Sequence, residues 1–187
     1  MIAGMIMAVM LVVQPAYAVG KHFNIFVTVS SFSMVLLNDQ GDEYEGWPIT
    51  VPPGEAVTMT AKHAVMVSLT SETADDLGVI DIITSVKNDD GWVAVLPPTP
   101  GNDLPDNHFC LEAAAIDGDL PQPGDPIVLT ADGFRAITEE TAGPTVTIDA
   151  TGDAEADVWL LYKFHAADHY GDGGQADLEV KIEAIPQ

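Results

Sequence analysis

Asp157-Val-Trp-Leu-Leu-Tyr-Lys-Phe164, the polar run from His165 to Asp177, and Leu178-Glu-Val-Lys-Ile-Glu-Ala184 together decide the fold. Val158, Leu160 and Tyr162 alternate with Trp159, Leu161 and Lys163, and Leu178, Val180, Ile182 and Ala184 alternate with Glu179, Lys181 and Glu183. Apolar residues recurring every second position, broken by a Gly/Asp-rich run, predict two antiparallel strands joined by a long loop. A lone two-stranded ribbon does not hold together in water, so the rest of the chain must supply a second sheet for its apolar face.

The chain upstream reads the same way. Phe23, Ile25, Val27 and Val29 alternate with Asn24, Phe26, Thr28 and Ser30, and Ser33–Leu37 continues this strand past a kink. Asn38–Asp42 and Pro52-Pro-Gly-Glu55 are turn clusters, with Trp47–Val51 extended between them. Ala56–Ala61, Ala64–Leu69, Val79–Val86, Trp92–Leu96, Phe109–Ile116, Ile127–Thr130 and Thr145–Ile148 follow as short strands, and Ser71–Asp75 has the composition of one helical turn. Pro97–Asn107 and Asp117–Pro126 are breaker-rich surface loops, and Ala131–Gly143 is polar. About ten short strands without a sustained helical period predict an all-β, immunoglobulin-like or jelly-roll sandwich with long acidic loops.

Composition narrows the function classes. The chain has 187 residues with 29 Asp+Glu against 6 Lys+Arg, a net charge of −23, yet 47% of it is hydrophobic. That apolar content separates it from disordered acidic tails. The charge repels nucleic-acid phosphate and anionic lipid and attracts cations. Met1–Val13 is a continuous apolar run, too short for the roughly 20 residues that cross a bilayer. Ala16-Tyr-Ala18 has the small-x-small form of a secretory cleavage site, which predicts a signal peptide over 1–18, a mature start at Val19 and a single sandwich domain over 19–187. The expected location is extracellular, at the cell surface, without membrane insertion after cleavage. Cys110 is the single cysteine, so packing and not an internal disulfide must hold the fold; it reads as a small half-buried hydrophobe.

Several motifs occur in a familiar order: Val51-Pro-Pro-Gly-Glu55, Val86-Lys-Asn-Asp-Asp-Gly-Trp92, the Pro97–Asn107 loop, Phe109-Cys-Leu-Glu-Ala113, Val158-Trp-Leu160, and Gly174-Gln175 before the last strand. In this order the chain resembles a diffuse group of secreted single-domain β-sandwich proteins related to the WxL-type cell-surface domain; Trp159-Leu-Leu161 fits W-x-L literally. The resemblance implies a cell-surface structural or assembly protein.

Side-chain chemistry offers few sites. His165, Asp168, His169, Asp172 and Asp177 gather in the closing loop, where carboxylates with backbone carbonyls suit calcium; Asp168, Asp172 and Asp177 are the candidate ligands, weighed against an ordinary solvated loop. Trp47, Trp92 and Trp159 suit either a sugar-stacking face or, more commonly in a sandwich, the core. No nucleophile elbow, phosphate-cradling glycine loop or His-Glu-x-x-His occurs, so the sequence predicts no enzyme. The expectation is a structural subunit of an extracellular filament or surface layer, with copies of itself as partners. Its first strand, carrying Phe23, Ile25, Phe26, Val27 and Val29, is the segment expected to add to a neighbour's sheet edge. The rival reading is a surface module binding calcium or cell-surface glycan.

Overall fold

The structure, a computed structural model, describes residues 32–72, 76–87, 92–98, 103–139, 143–167 and 178–187. Ten strands run in chain order: β1 (Phe32–Leu37), β2 (Ala56–Thr58), β3 (Val65–Ser71), β4 (Gly78–Lys87), β5 (Val93–Ala94), β6 (His108–Ala115), β7 (Arg135–Ile137), β8 (Val146–Ala150), β9 (Glu155–Ala166) and β10 (Glu179–Pro186). Among the described residues the only helical element is a single 3-10 turn at Ala61–His63. The all-β sandwich expected from the alternation is what forms.

The larger sheet has the order β1-β3-β9-β6-β5, with β2 also on β9 and β7 also on β6; the smaller has the order β10-β4-β8. β9 is the central strand. It pairs with β3 from Val65↔Leu160 to Thr70↔Glu155, with β2 at Ala56–Thr58, and with β6 from Phe109↔Ala166 to Ala115↔Leu160. Its apolar residues on both faces reflect this position: Leu160, Leu161 and Tyr162 are all buried. Phe109 and Phe164 stack with ring centroids 5.8 Å apart on the inner face, where Ile80, Ile82 and Ile182 from the smaller sheet join the same core.

The closing pair departs from the expected ribbon. β9 and β10 lie in different sheets, β9 between β3 and β6 and β10 on β4, with Glu179↔Lys87 through Pro186↔Ile80 in register. The physical reason is the length of the connection. A short loop holds two strands side by side, whereas the chain from Ala166 to Glu179 is long enough to cross between packed sheets about 10 Å apart.

Other departures share one cause, the availability of a partner strand. Trp47–Val51 forms no strand, Ile127–Thr130 reduces to a bridge at Leu129↔Ile116, and Trp92–Leu96 reduces to the two residues of β5, parallel to β6. β7 arises inside the segment expected to be polar, because Arg135-Ala-Ile137 meets Leu111–Ala113 on β6. His165, assigned from sequence to the loop, ends up inside β9. The Pro52–Glu55 turn forms as expected: Gly54 takes φ +72, which proline-glycine turns require, and its N–H donates to the Ala167 carbonyl at 2.9 Å.

Candidate functional site at the sheet edges

What distinguishes the edges of the two sheets is how each is treated. The far side of β6 is covered in three places: by β5 at His108 and Phe109, by β7 at Leu111–Ala113, and by the segment around Leu129 at Ile116. β7 also bridges the sheets, since the residue after it, Thr138, accepts a hydrogen bond from the Val86 N–H of β4 at 3.2 Å. β1 is partly covered: the chain turns at Asn38–Asp42 and returns so that the Tyr44 N–H donates to the Leu36 carbonyl at 3.0 Å. β8 is short and carries Thr147 and Asp149 outward; charged and polar side chains of this kind keep an edge solvated. No strand among the described residues pairs with the outer edge of β10.

Two of the sequence-derived sites lie outside the described residues: the segment with Phe23, Ile25, Phe26, Val27 and Val29, and the carboxylates Asp168, Asp172 and Asp177. Among the described residues, no cluster of three or more His, Cys, Asp or Glu is arranged to hold a metal ion. The tryptophans serve the core: Trp92 is buried, and Trp47 and Trp159 are half-buried against the central cluster. No helix among the described residues is long and apolar enough to cross a membrane.

The ladder between β6 and β9 assembles one group of titratable side chains that sequence spacing does not reveal. Cys110 stands opposite His165, and Glu112 opposite Lys163, all on the outer face of the larger sheet. Lys163 Nζ lies 3.0 Å from the Glu112 carboxylate and 5.9 Å from the centroid of Phe134. A cysteine beside a histidine invites a nucleophilic reading, but the environment acts against it. Burial, aided by Glu112, pushes the Cys110 thiol up to about 12, while burial and Lys163 lower the His165 imidazole. Near neutral pH the thiol keeps its proton and the ring is uncharged, the reverse of an activated pair. Leu104 and Ala167 close over Cys110 and complete a small apolar cluster. The pair therefore packs, and the expectation of a structural cysteine holds, with full burial instead of half.

Buried hydroxyls mark the interior. Thr84 and Thr145 exchange a hydrogen bond inside the smaller sheet. Tyr162 is buried with a hydroxyl that has no hydrogen-bond partner among the described residues, whereas the Tyr44 hydroxyl donates to the His63 carbonyl at 3.3 Å. A buried unsatisfied hydroxyl destabilises by about 1–3 kcal/mol, so Tyr162→Phe, which keeps the ring, should raise the thermal midpoint. Differential scanning calorimetry checks this, and a fall would reveal a partner for the hydroxyl.

No protein-family model matches the chain, and no curated protein matches it.

Proposed function

We propose that this protein is a secreted structural subunit of an extracellular filament or surface layer, and that copies join by strand addition at a sheet edge. One observation carries the reading: the smaller sheet has three strands against a much wider partner, and no strand among the described residues pairs with the outer side of β10. Open edges template the addition of further strands. The segment Lys21–Ser30 has the composition of the missing strand, with Phe23, Ile25, Val27 and Val29 in alternation and Phe26 on its other face. The signal-like residues 1–18 and the resemblance to WxL-type surface domains support export to the cell surface.

Donation from one copy to the next does not close on itself and so grows a fibre. At −23 per copy, mutual repulsion opposes growth, and screening relieves it. Negative-stain microscopy and light scattering of the purified protein, from low salt to about 1 M, where the Debye length has shrunk to roughly 3 Å, test the proposal. Fibres or sheets that lengthen with salt are expected. A monodisperse monomer at every salt concentration overturns the reading and turns attention to glycan binding or to calcium at Asp168, Asp172 and Asp177.

A further inference from the structure

We propose that the Asp125–Pro126 peptide bond is a self-cleavage site opened by mild acid, and that the cleaved protein persists as a two-piece sandwich. Asp125 is the one aspartate of the chain that precedes a proline. A bond of this kind carries its own nucleophile. One oxygen of the Asp125 carboxyl attacks the backbone carbonyl carbon of the same residue and closes a five-membered anhydride. The C–N bond breaks, and the carboxyl proton leaves with the Pro126 nitrogen. Water then opens the anhydride, so Asp125 ends one piece with two carboxyls and Pro126 begins the other as a free secondary amine. One water is consumed, and no other reactant is needed. Proline assists because its amide is tertiary, and its nitrogen takes a proton more readily than that of an ordinary peptide bond.

The fold presents this bond to solvent. Gln122-Pro-Gly-Asp125 forms a turn in which the Asp125 N–H donates to the Gln122 carbonyl at 2.9 Å and Gly124 takes φ +99. Residues 122–128 are all exposed, so water and protons reach the bond from every side. The carboxyl is uncommitted as well. Asp81 accepts from Thr147 and Gln187, Asp76 accepts from the Gly78 N–H, and Asp132 pairs with Arg135 at 2.8 Å. The Asp125 side chain has no such partner among the described residues. The loop is closed at its base by the Leu129↔Ile116 bridge and by the bond from Asp117 N–H to the Val128 carbonyl at 3.0 Å, and residues 118–127 lie outside any strand. Exposed loop tips of this composition tolerate a nick.

Strand pairing decides what the break leaves behind. β7, β8, β9 and β10 all follow Pro126, and none of these four pairs with another of them. β7 pairs with β6, β8 and β10 pair with β4, and β9 pairs with β2, β3 and β6. The second piece therefore has no ladder of its own among the described residues, and isolated strands do not stand in water. The first piece depends on the second equally, since β9 is what joins β3 to β6. Leu160, Tyr162 and Ile182 come from the second piece and are buried in the common core, so parting the pieces would expose them. The two pieces stay interlocked until the whole sandwich unfolds. Unfolding then releases two molecules in place of one, and its midpoint becomes dependent on protein concentration.

The full chain tests the proposal at the lowest pH where circular dichroism keeps the native β signal, beside a sample held at neutral pH. In acid, intact mass under denaturing conditions should show two new species, one ending at Asp125 and one beginning at Pro126. Their masses should sum to that of the parent plus one water, and the neutral sample should stay whole. Without denaturant, the cut protein should sediment as the uncut protein does. Asp125→Ala removes the nucleophile and Pro126→Ala restores a secondary amide, both at exposed positions, and each variant should stay in one piece over the same interval. A wild type that stays whole while folded overturns the proposal, and breakage only in urea at the same pH would show that the fold protects the bond. Asp125→Ala breaking at the wild-type rate assigns the cut to another cause and overturns it too. Pieces that sediment apart overturn the two-piece sandwich while leaving the cleavage standing.

Discussion

Raising the pH above about 10 should unfold this protein in one steep transition. Three buried groups drive it. Burial raises the Tyr162 hydroxyl, with a further push from Tyr44; burial raises Tyr44 itself; and burial and Glu112 raise the Cys110 thiol from 9.0 to about 12. In the unfolded chain the tyrosines ionise near 10.0 and the thiol near 9.0, while the folded protein holds all three protons. The unfolded state then binds fewer protons, so the stability these groups contribute is fully present below pH 9 and is lost as pH rises. With all three groups titrating, the slope approaches about 4 kcal/mol per pH unit, and the thiol drops out of it as pH passes about 12. A stability of order 5–15 kcal/mol is then exhausted within a few pH units. Tyrosinate absorbance and far-ultraviolet circular dichroism should change together, and Tyr162→Phe should cut the slope by about a third. Tyrosinate forming near pH 10 at Tyr44 and Tyr162 with the β signal intact would show that these hydroxyls are open to water.

Deleting residues through Ser30 should abolish assembly completely while leaving a folded monomer. Donated strands are held by main-chain hydrogen bonds and by alternate side chains in the acceptor's core, so a donor lacking the strand has nothing to offer, whatever the salt. A synthetic Lys21–Ser30 peptide should bind the truncated protein and raise its melting temperature, by about 2.7 kcal/mol in stability at a hundredfold excess over its dissociation constant. Assembly itself should not return, because a free peptide fills an acceptor without linking two copies. Circular dichroism and sedimentation velocity decide the outcome. An unfolded truncated protein would place the segment inside its own sandwich.

Alternation was enough to find β3, β4, β6, β9 and β10, because each packs at least one face into the core and period two shows directly in the side chains. β6 shows the limit of that signal. Phe109, Cys110 and Leu111 are buried in succession, since Leu104 and Ala167 cover Cys110 on the outer face, and no local pattern announces a covering loop. β7 escaped for a related reason: three residues among polar neighbours form a strand only because Leu111–Ala113 lies open beside them.

By itself, the sequence determined the fold class, the absence of an internal disulfide, the extreme negative charge, and a strand-like, strongly apolar segment before Phe32. Each of these follows from composition or from order along the chain. The tertiary structure alone decided that β9 and β10 belong to different sheets, that β7 bridges those sheets, and that Cys110 faces His165 across a ladder. Pairing and register depend on contacts between residues far apart in sequence. A shift of one residue exchanges the two faces of a strand without altering its own pattern.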